Sequence, residues 1–222
     1  MIGVVPAAGF GTRLGLAEGS KELVAVRGEP VVEYLLRRLE VGGCDEIRLV
    51  TRPEKSDLVA FARSRGLTLV LSSPPHVGAS IAAGIAGLAS DDLVAIGFPD
   101  TIWEPLDGFR CLRAAVDGGA DIALGLFRTP DAHRSDVVVL GPDGKLVDIL
   151  VKPEHPPSDL IYGCYVARAE VLCGIEEVDE PSRFLVAHAG HIVGIPLSTT
   201  WIDVGAPEGL FRARGSGRGW AL

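Results

Sequence analysis

Residues 3–23 read GVVPAAGFGTRLGLAEGSKEL. A short apolar run breaks into a glycine turn that delivers Arg13 and Lys21 beyond it. A buried strand ending in a glycine loop lets backbone N–H groups approach phosphate oxygens with no Cβ in the way. The two cations neutralise charge that the amides only orient. The stretch reads as a phosphate-handling loop at a sheet edge; its plainer reading is an ordinary strand-to-helix turn. Gly9, Gly11 and Gly15 give G-x-G-x-x-x-G, one residue too long for the dinucleotide fingerprint. Glu33, offered as the ribose-binding acid, falls inside an expected helix. No G-K-[ST] is present, which excludes the phosphate loop of nucleotide hydrolases.

At 222 residues the chain is long enough for one substantial α/β core. It is read as a single domain, with a nucleotide-binding part over about 1–127 and an acceptor-binding part over about 128–222. A net charge of −8 leaves no excess of basic residues to displace counterions, so no nucleic-acid partner is expected. No apolar run spans a bilayer and no secretory signal is visible, so a cytoplasmic protein with no membrane partner is expected. The four cysteines (Cys44, Cys111, Cys164, Cys173) form no C-x-x-C pair and are expected to be reduced core thiols. Oligomeric state is not readable from the chain.

Beyond the loop, apolar periodicity predicts helices over Val31–Val41 and Glu54–Arg65, separated by a strand at Ile47–Thr51 and followed by one at Leu67–Leu71. This βαβαβ alternation implies a parallel sheet with helices on both faces. Ser72–Gly78 is a second loop feeding a small-residue helix, Ala79–Leu88, whose N–H groups could face a ligand. His76 is read there as a loop residue hydrogen-bonded to backbone. Leu93–Gly97 is the next buried strand, and it ends in Phe98-Pro99-Asp100-Thr101. A carboxylate just past a central strand lies where ligands bind in open α/β sheets and can hold a hard cation such as Mg²⁺. Its plainer reading is a helix N-cap or an Asx-turn.

Helix Leu106–Val116 and strand Ala120–Phe127 complete the alternation. Val137–Leu140 and Lys145–Val151 flank Pro142-Asp143-Gly144, a hairpin composition, so mixed or antiparallel strands are expected to follow. Ile161–Val166 reads as a strand in which Gly163 marks close approach by a backbone or a ligand. Arg168–Ile175 and Pro181–Ala189 read as helices, His191–Pro196 as extended. Asp203, in Trp201-Ile202-Asp203-Val204-Gly205, is the second carboxylate at the end of an apolar run; it also suits a cap for the helix starting near Pro207.

AAGFGTRLG with Lys21, PDT at 99–101, LVKP at 150–153, YGCY at 162–165 and WIDVGAPE at 201–208 occur in the order seen in sugar-1-phosphate nucleotidyltransferases. The chain resembles that family over roughly residues 3–210, the glucose-1-phosphate thymidylyltransferases most. The resemblance implies an α/β, Rossmann-like three-layer fold with a mainly parallel central sheet and added mixed or antiparallel strands in the second half. It implies transfer of a nucleotidyl group from a nucleoside triphosphate, dTTP or UTP, to a sugar 1-phosphate, releasing pyrophosphate. Ala8, Gly9, Gly11 and Thr12 would wrap the nucleotide, with Gly78 against the base and Arg13 and Lys21 on the triphosphate. Asp100 and Asp203 would hold Mg²⁺. Lys152 would hold the sugar phosphate, with Tyr162 and Gly163 shaping the acceptor pocket. Arg13, Lys21, Asp100 and Lys152 would be the catalytic set.

The chain departs from the family pattern in a shorter loop between Arg13 and Lys21, in Pro99 where glycine is usual, and in Val151 where glutamate is frequent. No glutamine follows Gly78 to read a pyrimidine. The last two departures leave sugar and base open. Twelve residues after Leu210 predict neither a family-type regulatory region nor a second catalytic domain. A cytidylyltransferase acting on a phosphorylated alcohol, such as phosphocholine or a methylerythritol phosphate, and a catalytically silent nucleotide-sugar binding protein are the alternatives. An NADP-dependent oxidoreductase using Arg52 for the 2′-phosphate leaves Asp100, Lys152 and Asp203 unexplained.

Overall fold

The structure, a computed structural model, describes residues 1–11, 14, 19–198 and 200–215. Strand β1 (Ile2–Pro6) runs into the glycine loop; a small hairpin, β2 (Ala25–Val26) and β3 (Glu29–Pro30), leads to helix α1 (Val31–Val41). Val32, Leu35, Leu36 and Leu39 of α1 are all fully buried, as their spacing predicts. Then follow β4 (Glu46–Thr51), α2 (Ser56–Ser64), β5 (Thr68–Leu71), α3 (Val77–Ile85) and β6 (Leu93–Gly97). Strands β4, β1 and β6 lie side by side in parallel, with Ile2 paired to both Glu46 and Val94, and β5 adds in parallel outside β4. Helix α3 is shorter than expected at its far end, because Gly87 turns the chain at φ +77°.

The chain continues through β7 (Thr101–Trp103), α4 (Gly108–Asp117), β8 (Ile122–Arg128), β9 (Val137–Leu140), β10 (Leu146–Leu150) and β11 (Leu160–Arg168). Last come α5 (Pro181–Ala187), β12 (Ile192–Ser198), β13 (Trp201–Asp203) and α6 (Pro207–Gly215). The helix expected over Arg168–Ile175 is instead two 3-10 turns, Ala169–Leu172 and Ile175–Glu177, because Gly174 at φ +88° breaks it.

Strand β11 runs antiparallel to both β6 and β8, and β12 extends the sheet parallel to β8. Cys164 pairs with Gly97 of β6 on one edge and Gly125 of β8 on the other, whereas Ile161 pairs with Val137 of β9 and Phe127 of β8. The β9–β10 hairpin therefore takes the place beside β11 that β6 vacates when it turns off at Phe98. It stands at the carboxyl end of the sheet, over the point where Asp100 emerges.

Alternation along the strands defines two apolar layers. Val5, Ala95, Ala123 and Phe127 pack with α1, α2 and α4; Val4, Val94, Ile96, Ile122, Leu124 and Leu126 pack with α3 and α5. The three-layer arrangement follows directly from that period of two. Arg38 of α1 is an exception inside the first layer. Its guanidinium lies 5.2 Å from the Trp103 ring centroid, and burial lowers its pKa to about 10. Of the cysteines, Cys164 is deeply buried and pushed well above the usual thiol range by desolvation, and Cys44 is partly buried against the same core. Cys111 and Cys173 are exposed, which corrects the expectation of four core thiols. No helix among the described residues is long and apolar enough to cross a membrane.

Candidate active site

The glycine loop leaves β1 with its carbonyls already committed. Lys55 Nζ donates to Ala7 O at 2.8 Å and Gly9 O at 3.1 Å, and Arg52 Nε donates to Ala8 O at 2.8 Å. In a trans peptide the next N–H points opposite to the carbonyl. The amides of Ala8, Gly9 and Phe10 are therefore turned away from these cations. Gly11 sits at φ +69°, where glycine carries no steric cost. A Cβ at Gly9 would meet no described atom within 4 Å, so the fold itself does not ask for glycine there. Thr12, Arg13 and Gly15 lie outside the described residues.

The two predicted carboxylates meet. Strands β7 and β13 form a short antiparallel ribbon in which Asp203 pairs with Thr101, and the Val204 N–H donates to Asp100 O at 2.8 Å. A Cβ on Gly205 would fall 2.6 Å from Asp100 Oδ2 and 2.9 Å from Asp203 Oδ1. The two side chains thus converge on the one space that a side chain at Gly205 would fill. Asp203 Oδ1 accepts the Gly205 N–H at 2.7 Å, closing a local turn. Lys21, at the start of a 3-10 turn over Lys21–Leu23, reaches Asp100 Oδ2 at 2.6 Å, with both side chains mostly buried. Helix α6 can lie against this ribbon because Gly209 has no Cβ; one there would sit 1.7 Å from Asp203 O. Beside Asp203 opens a cleft lined by Thr129, Arg134, Ser135, Trp201 and Arg212.

Two carboxylates offering oxygen ligands, with room for substrate oxygens, fit a hard divalent cation, which is characteristically held by one or two carboxylates plus phosphates. Among the described residues there is no cluster of three or more His, Cys, Asp or Glu side chains placed to hold a metal. The pair therefore suits a metal that arrives with a phosphate ligand better than a caged structural ion.

Other predicted positions have local explanations. Gly163 is required by Trp201, whose Cζ3 would lie 2.0 Å from a Cβ there, so an indole makes a close approach to it. Gly78 lies inside α3, where a Cβ would sit 2.3 Å from both Ile175 O and Val178 O. His76 caps α3 through Nδ1, accepting the Ala79 N–H at 3.2 Å. The Tyr162 hydroxyl is 2.9 Å from Ser182 Oγ, which in turn donates to Asp136; burial pushes the phenol well above its usual range. Lys152 follows β10 at φ +42° and faces Glu180 at 3.6 Å. Because Leu150, Val137 and Ile161 share one row of the sheet, Lys152 emerges at the same carboxyl end as Asp100. Arg52 is engaged by Ala8 O, by Pro74 O at 2.7 Å and by the Phe10 ring at 4.5 Å, so its Nε and Nη2 are committed to holding the loop.

Four residues at the site carried no signal in the sequence. Glu22 is completely buried and bound by Lys55 Nζ at 2.6 Å; Asp57 takes both the N–H and the hydroxyl of Ser20, each at 2.7 Å. Burial pushes the Glu22 carboxyl above, and the Lys55 ammonium below, their ordinary values, while their mutual attraction opposes both shifts. The partners are 33 and 37 positions apart, and no local periodicity marks such contacts.

A mixed sheet, parallel where the glycine loop leaves it, with a lysine and two converging carboxylates beside that loop, fits a nucleotidyltransferase. The chain belongs to the MobA-like NTP transferase domain family, which matches residues 3–151. Among curated proteins it is 30% identical to a glucose-1-phosphate thymidylyltransferase of Mycolicibacterium smegmatis, over 96% of this chain and 81% of the relative. It is 28% identical to a mannose-1-phosphate guanylyltransferase of Mycobacterium tuberculosis, over 94% of this chain. The chain spans 62% of that relative's length. A Bacillus anthracis structure assigned as a glucose-1-phosphate thymidylyltransferase, solved with sucrose, superposes with a TM-score of 0.85. That match covers 100% of this chain and 97% of the other at 19% identity, and so speaks for the fold.

Proposed function

We propose that the chain transfers a nucleotidyl group from a nucleoside triphosphate to a sugar 1-phosphate, releasing pyrophosphate, with Mg²⁺ as cofactor. The observation that carries this reading is the meeting of Asp100 and Asp203 around Gly205, with Lys21 on Asp100 and the loop alongside. An oxygen of the sugar phosphate bonds to the α-phosphorus while the α–β bridging bond breaks and pyrophosphate leaves. The nucleophile is already an anion, so no general base is needed. The barrier is repulsion between two polyanions, and fixed positive charge with in-line positioning lowers it.

Asp100 and Asp203 would hold the metal, which supplies charge neutralisation on the phosphates. Lys21, held against Asp100, is placed to exchange that carboxylate for a phosphate oxygen. Amides of Ala8, Gly9 and Phe10 orient the triphosphate, with Arg13 and Thr12 from the same loop. Gly78 lies toward the base. Lys152 takes the acceptor phosphate, with Tyr162 and Gly163 on that side. dTTP or UTP is the donor favoured by the likeness to thymidylyltransferases; the guanylyltransferase relative makes GTP the competing donor.

The test is pyrophosphate release with Mg²⁺ across the common nucleoside triphosphates, sugar 1-phosphates and phosphorylated alcohols. Turnover with a sugar 1-phosphate is expected. Turnover only with a phosphorylated alcohol such as phosphocholine would move the assignment to the cytidylyltransferase type, which the exposed Val151 before Lys152 favours. Nucleotide binding without turnover would indicate a silent binding protein.

A further inference from the structure

One short segment holds both ends of the glycine loop. On the near side, Lys55 and Arg52 take the carbonyls of three successive residues, Ala7, Ala8 and Gly9. On the far side, Lys55 also binds the fully buried Glu22, and Asp57 binds the Ser20 N–H and hydroxyl. A single ammonium thus ties residues 7 and 9 to residue 22. Glu22 neighbours Lys21 in one 3-10 turn, so the same contact sets the backbone from which Lys21 reaches Asp100.

We infer that Lys55, with Arg52 and Asp57 beside it, is the positioning device for the donor triphosphate. The inference rests on the transferase reading and deepens it. A glycine-rich loop is entropically expensive to order, and a loop that must order on binding loses that cost from its affinity. Cations bound to the carbonyls of Ala7, Ala8 and Gly9 fix those peptides with their N–H groups presented to the other side before any ligand arrives. The ammonium of Lys55 does not touch the substrate; it acts through the loop. Its counter-charge is internal, because Glu22 balances it out of solvent. Removing Lys55 alone would strand a buried carboxylate and confuse positioning with folding.

The decisive variant is therefore Glu22→Gln/Lys55→Met, which removes both charges together, compared with Glu22→Gln alone, which leaves Lys55 on its two carbonyls. In the double variant the KM for the triphosphate rises about tenfold or more, as expected for lost charge-assisted hydrogen bonds, while the acceptor KM stays within about twofold. In the free protein the Ala7 N–H, which donates to Val50 O at 2.8 Å at the start of the loop, exchanges with deuterium faster, and the N–H groups of β4 do not. Glu22→Gln alone, in which Lys55 keeps its two carbonyls but loses the charge partner beside Lys21, raises the triphosphate KM by less than the double variant and leaves the exchange unchanged. An unaltered triphosphate KM in an active double variant overturns the positioning role and leaves the transferase standing. Equal rises in both KM values also overturn it, since that is the mark of general destabilisation. A wild-type chain that neither binds nor turns over any triphosphate overturns both readings.

Discussion

Gly205→Ala tests the geometry of the carboxylate pair without touching either carboxylate. Its backbone φ is outside the left-handed region, so alanine is conformationally acceptable and the effect comes from the added methyl alone. That methyl would stand 2.6 Å from Asp100 Oδ2 and 2.9 Å from Asp203 Oδ1. Non-bonded heavy atoms settle near ~3.5 Å, so the two oxygens must retreat by roughly 0.9 and 0.6 Å. Reactive constellations tolerate about 0.5 Å, and a misplacement near 1 Å costs on the order of a hundredfold in rate. Pyrophosphate release at saturating substrates should therefore fall about a hundredfold, and half-saturation in Mg²⁺ should move upward. Overpacking at this buried position should cost only about 1–3 kcal/mol of stability, leaving a folded protein by circular dichroism and thermal melting. Gly190→Ala is the matched control: no described atom lies within 4 Å of its added methyl, and its activity should equal wild type. Activity of Gly205→Ala within about threefold of wild type would show that the oxygens around Gly205 are not where the metal and phosphates meet.

Gly9→Ala should leave the melting temperature unchanged, because nothing described surrounds its Cβ, yet raise the triphosphate KM about tenfold by blocking backbone approach. An unchanged KM would return the loop to an ordinary turn. Arg38→Met should be neutral or stabilising by about 1–2 kcal/mol in urea unfolding, because the buried guanidinium leaves Nε and Nη2 without hydrogen-bond partners; a loss above about 2 kcal/mol would show that the charge supports Trp103. Asp57 is partly desolvated, which raises its pKa, but the two Ser20 donors and the Leu58 N–H outweigh this and hold it below the ordinary value. Its contribution to stability is therefore full above about pH 4 and disappears as pH falls through the lower, folded value. Asp57→Asn should flatten that acid limb in pH-dependent melting, and an unchanged limb would contradict the pairing.

The parallel half of the fold was legible because each strand and helix carries its own period. Val32, Leu35, Leu36 and Leu39 mark a helix face without reference to anything distant. The hairpin Val137–Leu150 announced itself through Pro142-Asp143-Gly144. What escaped was set by contacts distant in sequence. Strands β7 and β13 are three residues each, too short for a pattern, and are strands only because they pair with one another across 97 or more intervening positions. Gly163 was seen to be special, but Trp201, the residue that requires it, lies 38 positions on. Lys55 fell unremarked inside the helix expected over Glu54–Arg65, since nothing near it in sequence shows that Glu22 and two loop carbonyls converge there. Asp100 and Asp203 were singled out as strand-end carboxylates; their meeting needed the ribbon.

The most direct measurement is a Mg²⁺ titration of pyrophosphate release, with the donor and acceptor found active, for wild type, Asp100→Asn and Asp203→Asn. Each substitution keeps the shape and one acceptor oxygen, replaces the other oxygen by an NH₂ donor and removes one negative charge. Both variants are expected to bind triphosphate, stay folded and lose turnover by on the order of a hundredfold or more, with the residual activity needing more metal. Wild-type metal dependence and turnover in either variant would contradict the placing of nucleotidyl transfer at the Asp100–Asp203 pair.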